Sequence, residues 1–538
     1  MAGRTRRRTN RRTREVTIVG SLIGEMVERT ARQDPDRIAV TAVGGPSVSY
    51  RSLESRTNRL ANALHGKGLR PGDRIALWLD DQTECVEAYV AASKASLTAV
   101  PVGKALASAE AGYILRDVGA RGLFVSDGVA DRVDDALADV DLALTIATGE
   151  ERPAAAERYA DLLAYGHDTV PEAVRPAPPP FVGYTSGTTG FPKGVVIGER
   201  GVREIVAMSA LARRLPLRSV GVMTASLSFP AIVPADIFTH LFVGGTIVIL
   251  GRWDAEKALR AISDERANYV YLPSPVIREF AEAADRDRDS WATLVTVMHS
   301  GSKAPSGRVR ELVEIIGDRW TEIWGMMENS GGPVTATTRD DLLALRAADI
   351  YESVGLPLPQ CEVTVVAPDG QPLPRGSDHV GELWLRSPAI MEGYWERPDA
   401  FAAALADGWY HSGDLGWMDE AGYIYIVDRR ADLIVSGGSN VYPSELERVI
   451  SDCPGVREVA VVGIPHERWG RTPVAVVVRE PGATVDEAAV VAHCRRYLAG
   501  YKRPTSVLFT DALPKNASNK VVRTAVADWA ERSVQRRG

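Results

Sequence analysis

The chain of 538 residues is 45% apolar and 25% charged, with a net charge of -7 at neutral pH. That length predicts more than one domain, and the composition is that of a soluble globular protein. The acidic balance excludes a general pull toward nucleic acid, no apolar run approaches a membrane-spanning helix, and the four cysteines (Cys85, Cys361, Cys453, Cys494) lack metal spacing and read as reduced, mostly buried thiols of a cytoplasmic protein.

The opening segment, "MAGRTRRRTNRRTREV", is rich in arginine and is expected to be a disordered tail over residues 1–15 rather than a nucleic-acid or membrane arm. Glu25 and Glu28 interrupt the apolar stretch that follows, which argues against an export signal. "RSLESRTNRLANALHGKG" sets Leu53, Leu60, Ala61 and Leu64 on one helical face, with Gly66 able to end the helix. "RIALWL" predicts a strand, "CVEAYVAASKA" a helix and "TAVPV" the next strand, an alternation that predicts a parallel sheet flanked by helices. "VRPAPPP" reads as a stiff linker into the strand "FVGY". A helix is expected from Arg203 to Leu215, then strands in "GTIVIL", "YVYLP" and "LVTVMHS".

From about Val354 the pattern changes to short strands and turns ("CEVTVVAPDG", "GELWLRSP", "GYIYIVDRR"), which predicts a β-rich subdomain. Beyond Arg429, a helix near Pro443, strands in "VAVVGI" and "PVAVVVRE", and the helix "DEAAVVAHCRRYL" predict a smaller α+β unit. The expected fold class is therefore α/β. A large N-terminal domain of α/β sheets with the β-rich subdomain spans 16–427, a charged hinge 428–432, and a small mobile α+β C-terminal domain 433–538.

The stretch "YTSGTTGFPKG" follows a strand and precedes another, "GVVI". Its spacing is not that of a Walker loop, which needs Gly-Lys-Ser/Thr after four residues. Glycines let backbone N–H groups approach an anion, while the hydroxyls and Lys193 add donors and a charge. Thr185, Ser186, Gly187, Thr188, Thr189, Gly190 and Lys193 are thus candidate phosphate ligands.

This loop resembles the signature of the adenylate-forming (ANL) superfamily, which holds acyl- and aryl-CoA synthetases, stand-alone adenylation enzymes and luciferases. The resemblance runs in order along the chain from about Ser47. "VSYRSLESRTNRLANAL" and "LRPGDRIAL" are similar to the family's opening segment, and "EIWGMMEN" to its aromatic-Gly-x-Thr-Glu motif. "WYHSGDLG", "VDRRADLIVSGGSNVYPSELE" and "LPKNASNKVVR" are similar to its Tyr-x-Thr-Gly-Asp, hinge and C-terminal lysine segments. The resemblance implies two half-reactions: a carboxylate attacks the α-phosphate of ATP to give acyl-AMP and pyrophosphate, and a thiol then displaces AMP. It implies ATP and Mg²⁺, a small carboxylic acid, and CoA or the phosphopantetheine arm of an acyl or peptidyl carrier protein. No nucleic acid partner and no membrane span are expected.

Carried over residue by residue, Lys520 would bridge the substrate carboxylate and the α-phosphate, and Glu328 would bind Mg²⁺. Asp414 would receive the ribose hydroxyls, with Arg429 beside it. Trp324 and Gly325 would lie near adenine, with Gly301, Ser302 and Lys303 lining the other side of the base. His299 and His411 are read as structural or pocket-lining, because a carboxylate is already ionised at neutral pH and needs no base.

The chain departs from the pattern at four places. Met327 stands for the threonine that would contact phosphate, so Ser330 or Asn329 is expected to supply the hydrogen bond; a thioether cannot donate. Ala431 replaces the hinge Asp or Lys, and Asn519 the usual Gly. Pro230 replaces the Asp that pairs an amino-acid substrate's ammonium, which argues against an α-amino acid. The remaining pocket candidates are Phe229, Ala231, Pro234, Tyr271, Met298, Ser300, Ile323, Gly331 and Gly332, mostly apolar and uncharged, with the glycine pair expected to leave room. An aryl or medium apolar acid is favoured. CoA, a carrier protein and an amine stay open as acceptors, as does a degenerate member that binds nucleotide without turnover.

Overall fold

The computed structural model describes residues 22–536 except 152, 154, 173–175, 186–191, 302–303, 305, 345–348, 430–431, 437–438, 467–468, 499 and 517–519. The expected tail and the 430–431 part of the expected hinge lie outside the described residues. Among the described residues the strands form four sheets. Two are large, mainly parallel and helix-flanked. One has nine strands and the other eight.

The expected alternation appears as drawn from the sequence. The helix Tyr50–Gly66 starts on a Ser49 cap and is followed by strand Arg74–Trp78, helix Thr83–Lys94 and strand Thr98–Pro101. These strands pair in parallel within the eight-stranded sheet. The nine-stranded sheet has at its centre the parallel strands Val220–Met223, Tyr269–Tyr271, Thr296–Ser300 and Trp320–Gly325. Buried on both faces, they read as near-continuous apolar runs, as parallel strands do. The main apolar core joins one face of this sheet to the other large sheet through the helices between them.

One boundary differs. The helix expected from Arg203 to Leu215 is Glu199–Ala212. Gly198 is extended and Glu199 fills the first turn, where a carboxylate favours the helix dipole. Arg214 takes a left-handed backbone (φ 54°) and stops the helix before Leu215.

The β-rich subdomain is a five-stranded antiparallel sheet that includes Gly381–Arg386, Trp409–Met418 and Ile424–Arg429. The C-terminal α+β unit is built on another five-stranded sheet, whose long strands Val456–His466 and Gly470–Arg479 pair antiparallel. All four cysteines are unpaired and buried. Burial raises their thiols, to about 11 for Cys361 and Cys494, so none is poised as a nucleophile. Among the described residues no helix is long and apolar enough to cross a membrane.

Candidate active site

The glycine-rich segment connects a hairpin. Strand Phe181–Thr185 pairs antiparallel with Lys193–Ile197, and Thr185 stands opposite Lys193. Two of the expected phosphate ligands therefore face each other at the base of the connection, with Lys193 Nζ 5.3 Å from the Tyr394 ring centroid. Ser186, Gly187, Thr188, Thr189 and Gly190 lie outside the described residues, as do Ser302, Lys303, Ala431 and Asn519.

The nucleotide candidates come together from separate elements. Asp414 and Arg429 are register partners on adjacent antiparallel strands. Arg429 Nε is 3.2 Å from Asp414 Oδ1, and the Trp324 indole N–H donates to Asp414 Oδ2 at 2.8 Å. Asp414 N–H donates to Ser412 Oγ at 3.0 Å, so the serine in "SGD" braces the aspartate. Gly301, just past strand Thr296–Ser300, has φ +91°, which a side chain would resist.

Glu328 occupies a short 3-10 turn, Met327–Asn329, directly after strand Trp320–Gly325 and Met326. The Tyr394 hydroxyl donates to Glu328 Oε1 at 3.0 Å and lies 3.0 Å from the Tyr410 hydroxyl. Burial raises the Glu328 pKa; the Tyr394 hydrogen bond and the Arg429 charge oppose that rise, and Asp414 adds to it. Lys520 keeps an open surface, yet protein crowds it enough that desolvation, helped by the Arg429 charge and opposed by Asp414, lowers its ammonium to about 8. Lys520, Arg429, Asp414 and Glu328 thus share one electrostatic neighbourhood although they come from distant parts of the chain.

Among the described residues no three His, Cys, Asp or Glu side chains cluster as a metal cage. A lone carboxylate such as Glu328 suits Mg²⁺, which takes one or two carboxylates and completes its shell with phosphate oxygens and water.

Met327 packs against the strand that leads to the glycine-rich segment. Its methyl fills the space that a Cβ at Gly183 would need, and Pro230 Cβ would lie 3.0 Å from that Cβ. Met327 therefore packs between the strand that delivers the loop and the acid pocket. The expectation that Ser330 or Asn329 replaces the threonine fails. Ser330, in a left-handed conformation (φ 51°), donates to the Ala389 carbonyl at 2.6 Å, and Asn329 Nδ2 donates to the Pro333 carbonyl at 2.8 Å. Both are fully buried.

The pocket candidates line one face of the nine-stranded sheet. Tyr271, Met298 and Ile323 come from three adjacent strands, and Ser300 pairs with Ile323. Phe229, Pro230, Ala231 and Pro234 lie in the segment between strand Val220–Met223 and the Thr239–Phe242 helix, and Phe229 and Ala231 pack against the apolar core that holds Tyr271, Met298 and Ile323. Gly331 and Gly332 do not leave room. A Cβ at Gly331 would lie 2.6 Å from Pro234 Cγ, and one at Gly332 would collide with Ile205. The missing side chains let Pro234 and Ile205 close in, so the pocket is narrower than the glycines suggest.

His299 is fully buried, lies 2.7 Å from Ser274 Oγ and 2.7 Å from Glu322 Oε1, and stacks on Trp320. This chain of atoms has the outline of a nucleophilic triad, but Pro275 follows Ser274 and has no N–H to offer an oxyanion. His411 stacks on Trp384 with centroids 3.9 Å apart. Both histidines are thus structural.

Sequence reasoning missed Tyr394 and Tyr410, which adjoin Glu328, and Asp81, whose Oδ1 accepts from Ser226 Oγ at 2.9 Å and Leu227 N–H at 2.7 Å and so anchors the pocket segment. The "GYW" run at Gly393–Trp395, aromatic beside a proline turn, was the available signal for the first; nothing local marks Asp81.

Two large α/β sheets, a β-rich subdomain and a small C-terminal unit bringing Lys520 beside Asp414 define an adenylate-forming enzyme. Residues 27–395 match the AMP-binding enzyme family, and residues 445–520 its C-terminal domain. A feruloyl-CoA synthase of Amycolatopsis is 34% identical over 94% of this chain and 98% of its own length. The fatty acid–[acyl-carrier-protein] ligase ScoC of Streptomyces coeruleorubidus is 32% identical over 93% and 95%. ATP-bound MatB of Rhodopseudomonas palustris superposes with a TM-score of 0.84 at 27% identity, covering 94% of this chain and 99% of that one. The chain belongs to the AMP-binding enzyme family, and it is an AMP-forming acid–thiol ligase similar to the acyl- and aryl-CoA synthetases.

Proposed function

We propose that the enzyme activates a compact aryl or medium-sized apolar carboxylic acid and passes it to the thiol of CoA in the cytoplasm. What supports this reading is the uncharged character of the pocket candidates, with Pro230 where an amino-acid substrate would need a carboxylate and Tyr271, Met298 and Ile323 on one face of the large sheet. A zwitterionic amino acid would leave its ammonium unpaired there.

In the first half-reaction a carboxylate oxygen attacks the α-phosphorus, the bond to the bridging oxygen breaks, and pyrophosphate leaves. The Lys520 ammonium holds the attacking carboxylate against the α-phosphate and offsets the charge of the transition state. Lys193 and the 185–190 segment hold the departing phosphates. Asp414 accepts from the ribose hydroxyls, with Trp324 and Arg429 fixing its two oxygens. Mg²⁺, when bound at Glu328, neutralises phosphate charge. In the second half-reaction the thiolate attacks the acyl carbon and AMP leaves with the bonding pair. The 428–432 segment serves as the hinge between residues 16–427 and 433–538, letting the C-terminal unit reorient between the steps.

ATP–pyrophosphate exchange over a panel of aryl, alkyl and amino acids tests this, with Lys520→Ala as the control. Exchange with a benzoate-like acid, none with amino acids, and a thioester formed with CoA are expected. Exchange confined to amino acids overturns the substrate reading. A product formed only with a phosphopantetheinylated carrier, or only with an amine, overturns the acceptor. ATP binding without exchange for any acid makes the chain a degenerate member.

A further inference from the structure

Along the face that bears the pocket candidates, two strands change chemistry together. Residues two apart on a strand share a face. Two positions back from Tyr271 and Met298 stand the register partners Tyr269 and Thr296, both fully buried, while Thr321 stands beside Met298. The apolar pocket therefore ends on a polar layer. Ser209 and Arg213, at the end of the Glu199–Ala212 helix, and Asp236 and His240, from the turn and helix after Pro234, close that layer from the opposite side.

The layer is tied together but not saturated. The Tyr269 hydroxyl donates to Asp236 Oδ1 at 2.6 Å, Arg213 Nε donates to that hydroxyl at 3.2 Å, and Thr296 Oγ1 donates to the Arg213 carbonyl at 2.7 Å. Arg213 Nε lies 3.5 Å from Asp236 Oδ1. Among the described residues, Asp236 Oδ2, Arg213 Nη1, His240 Nε2 and Ser209 Oγ have no hydrogen-bond partner. None of these four residues is more than 3% exposed.

His240 Nδ1 lies 2.8 Å from the Asp236 carbonyl, which can only accept, so Nδ1 carries the proton. Burial lowers the His240 pKa and keeps the ring neutral, leaving Nε2 as an acceptor. The layer thus offers two acceptors, one charged donor and a hydroxyl. It adjoins the pocket candidates: a Cβ at Gly332 would lie 3.3 Å from Ser209 Oγ. Unpaired buried polar groups are rare in folded proteins and point to a missing partner.

We propose that this polar layer is the end stop of the acid pocket. It selects a compact acid whose far end carries a hydroxyl or similar hydrogen-bonding group, and it rejects long alkyl chains. An alkyl tail pushed to this depth would part the Arg213–Asp236–Tyr269 links without replacing them, whereas a hydroxyl would donate to one of the two acceptors and accept from Arg213. The inference rests on the acid-activating function proposed above.

The test is ATP–pyrophosphate exchange with matched acids: benzoic and cinnamic acids bearing a 4-hydroxyl or a 4-methyl group, and octanoic, dodecanoic and hexadecanoic acids. The hydroxyl acid of the better-fitting pair is expected to exceed its methyl partner in kcat/KM by about tenfold or more, as for a site built to hydrogen-bond a substrate hydroxyl. Dodecanoic and hexadecanoic acids should fall below it by a similar factor. In Asp236→Asn and Tyr269→Phe the hydroxyl-to-methyl ratio should drop toward one, and the ratio is read within each variant, so a general loss of rate does not enter it. Dodecanoic acid used as well as the best compact acid, equal use of hydroxyl and methyl acids by the native enzyme, or a ratio unchanged in both variants would each overturn the proposal. The native series alone decides if neither variant folds. Activation of no acid at all refutes the underlying function instead.

Discussion

Tyr394→Phe removes one hydroxyl and leaves the ring beneath Lys193, so it isolates what that hydroxyl does for Glu328. In the native protein the hydroxyl lies 3.0 Å from Glu328 Oε1. Burial raises the Glu328 pKa, a backbone hydrogen bond, this hydrogen bond and Arg429 hold it down, and Asp414 pushes it up; Tyr410, its phenol raised by burial, is a further neighbour. A hydrogen bond to a charged group contributes about 1.5–3 kcal/mol. Losing the bond should therefore move the Glu328 titration to higher pH.

The sign follows from the chemistry. Only the ionised carboxylate serves Mg²⁺, so activity that needs it is full above the Glu328 pKa and lost as pH falls through it. The acid limb of ATP–pyrophosphate exchange should therefore shift to higher pH in the variant. On that limb it should need more Mg²⁺ than the native enzyme, and well above it the two should converge. An acid limb and Mg²⁺ requirement that both stay put, or a uniform loss at every pH, would refute the role given to Glu328 and Tyr394.

The Lys520 ammonium titrates at about 8, so exchange by the free enzyme should decline as pH rises through that value, and Lys520→Arg should flatten this limb. Lys520→Ala should lower the adenylation rate by on the order of 10²–10³, measured in single-turnover formation of acyl-AMP. Met327→Thr, which restores the family residue, should destabilise the fold by about 2–5 kcal/mol in urea unfolding and fail to raise exchange, because its methyl fills a packed site. Asp81→Ala should raise KM for the acid more than KM for ATP, since it frees the Ser226–Leu227 backbone; equal changes in both would contradict that.

The parallel sheets were legible because buried strands carry continuous apolar runs and the helices between them carry a clear face. The helix around Val202 was less so. Its true start, Glu199, precedes Gly201, a residue that discourages a helical reading, and that glycine is there for the close approach of Ser330. Asp414, Arg429 and Glu328 could be named from motif order. Their mutual geometry could not, because Trp324 and Asp414 are 90 residues apart and meet only through the packing of the subdomain on the large sheet. The glycine pair misled for a related reason. An absent side chain says that something is close or that space is open, and the sequence does not say which; here Pro234 and Ile205 take the space.

Met327 links these points. In the family pattern a hydroxyl at this position serves phosphate, and a thioether can only pack. Its methyl lies against Gly183, two residues before Thr185, and its sulfur lies 3.5 Å from where a Cβ on Gly331 would stand. One side chain thus touches both the strand that carries the phosphate hairpin and the wall of the acid pocket. With Ser330 and Asn329 committed to carbonyls of their own, neither takes over the lost hydrogen bond. In the function proposed above, the phosphates are left to Lys193 and the 185–190 segment. An acid that displaces Met327 would press on the strand leading to that hairpin, so the shape of the acid and the rate of adenylation should vary together across a substrate series.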